Sequence, residues 1–474
     1  MRLLSRNKRI FKSDVVLHRF YFAFSSRFPE KICSKVYSKP FYLCYNGFNI
    51  SFAEKSLSKA KEKKHMSKIA NVAVIGLGGR GLGWIKGELL KLDYVNITAV
   101  CDEYTDRVEA AQKAVAEVRG TTPFGTLDYK EAIKRDDVDV VLIFTAWESH
   151  VEIAVESMKA GKYTGLEVGG AYSVEDCWKL VDTQEKTGTP FMFLENCCYG
   201  EYELLVLNMV RQGMFGDIVH CEGGYCHDLR HEISFGRENR HYRLRNYLAR
   251  NCENYPTHDL GPIAKLLNIN RGNRMTSLTS FASCSKGLHE YILDRKADDS
   301  DLKYATFSQG DIIKTFITCE NGETIVLTLD TTLPRSYSRQ FTVRGTKGMY
   351  AEDGNYVFLD KVHEKYEFGA RPLWDNAKEY QKEYHHELWG DPEKLYGQGH
   401  GGMDFLVISA LFDSYFNNTY PPIDVYDAAA WMCVTALSEQ SIREGNKKME
   451  FPDFTRGKYA DRQEHSAGMF SLEK

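Results

Sequence analysis

The stretch Ile69 to Gly81, reading IANVAVIGLGGRG, constrains this chain more than any other. A short apolar run passes directly into G-x-G-x-x-G, and Asp102 closes the next apolar run about twenty residues further on. Such a pattern predicts a βαβ unit that binds a dinucleotide. Gly76 allows the tight turn, Gly78 lets the backbone approach a pyrophosphate, and Gly81 lets the helix pack close to the strand. Gly79 and Arg80 complete the loop, and the diphosphate is expected at the positive end of the helix. A carboxylate at the end of the second strand accepts hydrogen bonds from ribose hydroxyls and repels a 2′-phosphate, so Asp102 favours NAD over NADP. The competing reading is that Asp102 caps the helix starting near Tyr104. Arg80 could serve either the diphosphate or a 2′-phosphate.

At 474 residues the chain is long enough for two domains with their own cores. Its formal net charge of −4 gives no basic field for nucleic acid or an anionic membrane. No apolar run reaches the roughly 18 to 20 residues that a membrane span needs. The 12 cysteines are scattered without a CxxC pair or a zinc-type His/Cys spacing, so no structural metal is expected and a reducing compartment fits. Residues 1–66 are different in kind. MRLLSRNKRIFKSDVVLHRFYFAFSSRF is rich in basic, serine and aromatic residues and resembles a mitochondrial transit peptide more than a secretory signal. Alternatively, an ordinary cytoplasmic enzyme begins near Met66, after the lysine-rich KAKEKKH run. The partner expected is a small molecule or glycan, and a homo-oligomer stays open.

Strand-like and helix-like runs alternate from Ile69 to Leu194, which predicts a parallel sheet covered by helices. Val138 to Phe144 reads as a buried strand, a helix follows from near His150, and Val174 to Thr187 has helical spacing. After Asn196 the pattern changes. A helix over Glu201 to Gln212 leads into IVHCEGGY, and from about Thr276 strands such as TIVLTLDTTL and QFTVRGTKGMY succeed one another with turns between. Late helices near Met403 and over Tyr426 to Ser441 are expected at the flank of that second sheet. The fold class is therefore α/β, a doubly wound parallel Rossmann sheet over 67–195 followed by an α+β domain with a mainly antiparallel open sheet over 196–474.

This order, with a crossing at Glu195 to Tyr199, resembles the Gfo/Idh/MocA oxidoreductases. Within them the chain resembles glycoside hydrolase family 109, the NAD-dependent α-N-acetylgalactosaminidases. The motifs carrying the closer resemblance are GLGGRG, WESH at Trp147 to His150, EVGGAYSVEDCW from Glu167, ENCCYG from Glu195, GGYCHDLRHE from Gly223, the stretch Arg240 to Arg274, and GHGGMD from Gly399. Together they cover most of residues 69 to 440. The resemblance implies a retaining glycosidase acting on terminal α-linked N-acetylgalactosamine. Bound NAD would oxidise sugar carbon 3, loss of the carbon 2 proton would expel the group on carbon 1, and water addition with return of hydride would complete the cycle. An ordinary NAD-dependent sugar or polyol dehydrogenase is the alternative, and a non-catalytic dinucleotide sensor a third reading.

Many dehydrogenases of the wider family carry Glu-Lys-Pro after the fifth strand, where this chain reads Glu167, Val168, Gly169. Val168 has no proton to exchange, which puts simple dehydrogenation in doubt. His258, at a helix start and at the position matching the family's active-site histidine, is the leading acid/base candidate, followed by Tyr199 and Glu167. The resemblance further places Gly79, Arg80, Asp102, Trp147, Glu148, Ser149, His150, Glu167, Val168, Asn196 and Tyr255 along the cofactor. It places Tyr225, Arg243, Tyr255, Pro256, Thr257, His258 and Tyr337 around the sugar. Each has a plainer alternative: a capping or packed histidine, a core tyrosine, a locally satisfied carboxylate, sheet-packing aromatics, or pairing of Arg243 with Asp228 or Glu232. His400 and Asp404 could approach the site or belong to a glycine-rich turn.

Overall fold

Gly76 ends the first strand because its backbone takes φ +90°, a conformation that glycine alone adopts freely. A computed structural model describes residues 68–363, 369–462 and 465–473, so the expectations for residues 1–66 lie outside the described residues. Within them β1 (Ala70–Ile75), β2 (Val95–Cys101), β3 (Phe124–Thr126), β4 (Val140–Ile143), β5 (Tyr163–Leu166) and β6 (Phe191–Phe193) form a parallel sheet. Its order is β3-β2-β1-β4-β5-β6. β4 and β5 are buried along their whole length, as strands covered on both faces must be. Helices α1 (Gly79–Gly87), α2 (Thr105–Arg119), α3 (Trp147–Lys159) and α4 (Val174–Thr187) provide cover on the two faces. Ser173 caps α4 by accepting from the Asp176 amide, and Gly188 ends it at φ +67°. The strand order reverses between β1 and β4, where the carboxyl ends of an open α/β sheet leave a binding crevice.

A short turn over Asn196–Tyr199 carries the chain into α5 (Glu201–Arg211) and the second sheet. That sheet contains β7 (Ile218–Cys226), β8 (Met275–Ala282), β9 (Ile312–Cys319), β10 (Thr324–Asp330), β11 (Thr342–Gly345), β12 (Gly348–Ala351), β13 (Tyr356–Leu359) and β14 (Met449–Glu450). Its order is β13-β12-β11-β7-β10-β9-β8-β14, antiparallel throughout except for the β7–β10 pair. β9 shows the one-sided alternation of such a sheet, with Ile313, Thr315, Ile317 and Cys319 buried and Phe316 and Thr318 exposed. Two helices between β7 and β8, α6 (Arg243–Ala249) and α7 (Thr257–Leu266), supply much of the site. Gly223 lets α7 lie close on β7, because a β-carbon there would come within 2.8 Å of the Asp259 Cβ and 3.2 Å of Ile263.

Two sequence expectations change, and one helix was not foreseen. The helix expected near His150 begins at Trp147, one residue after the turn that closes β4. Helix α6 lies in an arginine-rich stretch without a clear apolar stripe. The late helix α8 (Met403–Asn417) packs on the parallel sheet: a β-carbon at Gly165 of β5 would meet Leu411, and the Tyr163 and Ser414 hydroxyls are 2.6 Å apart. Leu406, Val407, Ile408, Ala410, Leu411 and Phe412 are all buried, a band too wide for one flank to cover. Helix α9 (Val425–Arg443), with a capping box formed by Asp424 and Asp427, lies between α4 and β8 and ties the two sheets together. No helix among the described residues is long and apolar enough to cross a membrane.

Candidate active site

The glycine loop has the shape a diphosphate requires. A β-carbon on Gly76 would come within 2.5 Å of the Phe144 carbonyl carbon, and one on Gly81 would overlap the Gly76 carbonyl oxygen. These two glycines let the loop and helix start pack together. A β-carbon on Gly79 would have nothing within 4 Å, and one on Gly78 only the Arg107 guanidinium at 3.5 Å. α1 starts with no side-chain cap and no acid in its first turn, so its first amides remain available to an anion. Asp102 ties the end of β2 to this loop by accepting the Leu77 amide at 2.6 Å and the Tyr104 amide at 3.1 Å. Arg107 stands 3.6 Å from the same carboxylate. The residues therefore fit NAD, with the loop amides for the diphosphate and Asp102 for the ribose.

Arg80 is held by carboxylates from two other parts of the chain. Its guanidinium gives two hydrogen bonds to Asp404, at 2.7 and 2.9 Å, and a third to Glu167 at 3.1 Å, and lies over the Trp84 ring at 5.0 Å. Asp404 also accepts from the Asn196 amide at 2.8 Å and lies 2.7 Å from His400 Nδ1, so GHGGMD is part of the site. Burial raises both carboxyls of this network, but the hydrogen bonds of His400 and Arg80 hold Asp404 far below its usual range. Glu167 is buried next to Asp404 and its net shift is upward despite Arg80. The Asn196 Oδ1 has no hydrogen-bond partner among the described residues, as expected of a group awaiting a ligand.

Beside this network lies a run of rings. Trp147 packs on Tyr255 at 5.7 Å, Tyr255 on Tyr225 at 4.4 Å, Tyr225 on His227 at 5.8 Å, and His227 on the half-exposed Tyr337 at 5.2 Å. Tyr242, which the sequence reading missed, packs at a tilt on Trp147 at 4.7 Å. The Arg243 guanidinium is buried over Trp147, Tyr225 and Tyr255, 5.0 to 5.9 Å from their centroids. Glu232 is its counter-ion at 2.8 Å, yet Arg243 Nε and Nη1 lack a well-formed hydrogen bond among the described residues. Flat apolar faces beside the Nη1 donor suit a sugar ring with an acetamido or hydroxyl oxygen.

His258 meets this surface from the first turn of α7. Its ring is 4.9 Å from Tyr255 and 5.6 Å from Tyr225, and Nε2 is 3.4 Å from the Tyr255 hydroxyl. Nδ1 lies 2.7 Å from Glu195 Oε1, a residue missed because only the fold brings β6 to α7. Cys197 Sγ joins these two groups, the three donor atoms lying within 4.8 Å of one another. Two ligands of one tetrahedral zinc would stand ~3.3 Å apart, from bonds of about 2.0 to 2.1 Å. The 2.7 Å separation instead matches a charge-assisted hydrogen bond.

Not every expected residue reaches the site. Tyr199 is fully buried and donates its hydroxyl to the Phe470 carbonyl at 3.0 Å, so it is a core residue. Thr257 is fully buried, and Pro256 is buried at the N-cap of α7. Ser149 bonds to Thr145 and Ala146, and His150 Nε2 lies 3.0 Å from the Thr145 carbonyl, so both shape the turn before α3. Burial holds His150 down at about 4, leaving it neutral. Glu148 is bonded to Arg245 and Asn246 of α6. The Val168 side chain is buried.

Behind His258, Glu253 and Asp259 are buried without a well-formed hydrogen bond to their carboxylates among the described residues. Burial lifts Glu253 from 4.5 to about 8, against weaker pulls from the Tyr255 amide and Lys314. Unfolded chain thus releases this proton near pH 4.5 and folded chain only near pH 8, so stability falls as pH rises through that window. Glu253→Gln should remove the penalty, with a gain of about 3 kcal/mol at pH 7 that vanishes at pH 4. Melting curves of both proteins across pH 4 to 8 check this, and a pH-independent difference would contradict it.

Comparison with known proteins agrees with this geometry. Residues 70–194 match the oxidoreductase family with an NAD-binding Rossmann fold, and residues 199–461 match the glycosyl hydrolase 109 C-terminal domain. An alpha-N-acetylgalactosaminidase of Tannerella forsythia is 37% identical over 435 residues, covering 86% of this chain and 91% of that protein. One from Shewanella oneidensis is 36% identical over 400 residues, covering 82% and 86%. The fold is that of scyllo-inositol dehydrogenase from Lactobacillus casei, solved with NAD(H) and scyllo-inositol, at a TM-score of 0.54, 15% identity and coverage of 81% and 99%. A Rossmann domain of oxidoreductase type thus carries a hydrolase C-terminal domain through one continuous match, and the chain is an enzyme belonging to glycosyl hydrolase family 109.

Proposed function

We propose that this enzyme hydrolyses terminal α-linked N-acetylgalactosamine with retention, using NAD that is regenerated in each cycle. The observation that carries the reading is His258, a proton-accepting group set against the Tyr225 and Tyr255 rings and beside the Arg243 guanidinium, whose Nη1 has no hydrogen-bond partner among the described residues. The names of the two relatives support the substrate. NAD, when bound, would supply reversible hydride transfer at sugar carbon 3. The chain's residues do the rest. The α1 amides and Asp102 hold the cofactor, the aromatic faces and Arg243 orient the sugar, and His258 takes the proton from carbon 2. With Val168 buried and apolar, no lysine stands at the strand end to carry out simple alcohol oxidation.

Substrate deuterated at carbon 2 should release N-acetylgalactosamine that has exchanged its label with solvent, with no net NADH absorbance. Product retaining all its deuterium would sink the elimination route, and stoichiometric NADH would favour the dehydrogenase. For the cofactor, Asp102→Asn should weaken NAD binding by about 1.5 to 3 kcal/mol, the worth of a hydrogen bond to a charged group. NADP binding should change less. A titration in which the unaltered protein prefers NADP would overturn the role given to Asp102.

A further inference from the structure

We infer that Glu195 is a positioning residue for His258, fixing the imidazole tautomer that leaves Nε2 free to accept the carbon 2 proton. The inference rests on the function proposed above. Glu195 lies just past the end of β6, where the chain crosses between the two sheets, and its side chain is fully buried. Oε1 receives the Cys197 amide at 3.0 Å and lies 2.7 Å from His258 Nδ1, so the carboxylate is clamped from its own turn and from α7. Gly261, one turn after His258, makes the approach possible: a β-carbon there would come within 2.9 Å of Glu195 Cγ and 3.0 Å of Cys198 Sγ. The carboxylate thus meets the ring without a flexible linker on either side.

An ionised carboxylate accepts hydrogen bonds and donates none, so Nδ1 must carry the proton in the neutral ring. Nε2 then keeps its lone pair, and it is the nitrogen that faces Tyr255. Burial alone would protonate Glu195, but His258, through the Nδ1 hydrogen bond and through its charge once the ring is protonated, together with the Cys197 amide, brings its carboxyl below the usual range. Asp259 and Glu253, buried close by without comparable donors, are pushed upward by burial. Of the three carboxyls, Glu195 alone is drawn downward, toward its ionised form. Cys197, Cys198, Tyr225, Tyr255 and His227 are further titratable groups around the pair, and Arg339 and Lys265 are charged groups acting on its neighbours.

In the elimination step the carbon 2–hydrogen bond breaks and its electron pair becomes the carbon 1–carbon 2 double bond. The aglycone leaves with the carbon 1–oxygen pair, and the proton ends on His258 Nε2. The imidazolium so formed faces the Glu195 carboxylate, which balances its charge where water is excluded. An acid that orients and charge-balances a base in this way contributes without touching the substrate.

The test uses the full-length protein with its cofactor. Nitrogen-15 spectra of the His258 ring should show the Nδ1–H tautomer in the unaltered protein, whatever its activity, and an Nε2–H tautomer there would overturn the inference. Glu195→Gln should lower kcat by a hundredfold or more with KM and NAD content near those of the parent. Combined with His258→Asn, which removes the base, Glu195→Gln should cost less than about threefold further, because groups acting as one unit are not additive. A purely structural role predicts that the two losses multiply, and that result, or a Glu195→Gln enzyme within threefold of the parent, would overturn the assignment. Should Glu195→Gln fail to fold, the spectrum of the unaltered protein decides alone. Absence of sugar release from the unaltered enzyme would instead sink the proposed function.

Discussion

His258→Asn should cut turnover by roughly a hundredfold or more, within the range general acid–base groups contribute, while the protein melts near the parent temperature and keeps NAD. Asparagine is chosen because its side-chain NH2 sits where His258 Nδ1 sits and can still donate to Glu195, whereas nothing replaces Nε2. Alanine would confuse the outcome. It would leave Glu195 buried without its partner, and breaking such a pair costs about 3 to 5 kcal/mol. A destabilised His258→Ala protein would therefore say little about catalysis. Thermal stability, NAD occupancy and turnover measured on one preparation of His258→Asn separate the roles. Near-normal turnover would remove His258 from the chemistry and leave it a packed, hydrogen-bonded histidine.

Gly81→Ala should abolish retention of NAD and lower stability by about 3 kcal/mol, the upper part of the usual overpacking range. The added methyl would fall on the Gly76 carbonyl oxygen and 3.3 Å from Phe144 Cβ, neither of which can move without shifting β1 or β4. The start of α1 must yield instead. Its amides would lose their aim, and Arg80, the preceding residue, would be pulled from Asp404 and Glu167. Gly79→Ala is the control, since its methyl meets no atom within 4 Å and the fold should be unaffected. Calorimetry with and without NAD checks both. Equal melting temperatures and equal NAD shifts for parent and Gly81→Ala would show that the loop is not held as described.

The alternation of apolar runs, the glycine loop and Asp102 are local features, and they determined the Rossmann sheet and its cofactor end. The order of strands then follows from right-handed βαβ crossovers, which leave few choices. The motif containing His258 was also legible, because the helix start and its neighbours stand together in the chain. Contacts between distant segments were not. Glu195 and His258 are 63 residues apart, and Arg80 and Asp404 are 324 apart. No periodicity reports such pairings.

Burial was likewise decided only by the tertiary structure. The sequence shows Tyr199 beside Asn196 at the crossing, yet the turn over Asn196–Tyr199 sends one phenol into the core and one amide toward Asp404. Arg80 looked like a phosphate ligand because its neighbours are glycines, and it became the link between α1 and α8 because Asp404 and Glu167 reach it from two other parts of the chain. A sequence specifies which groups can ionise or donate. Which of them meet, and which lose their water, depends on how the two sheets close around α7, α8 and α9, and that determined which groups here could act on a sugar.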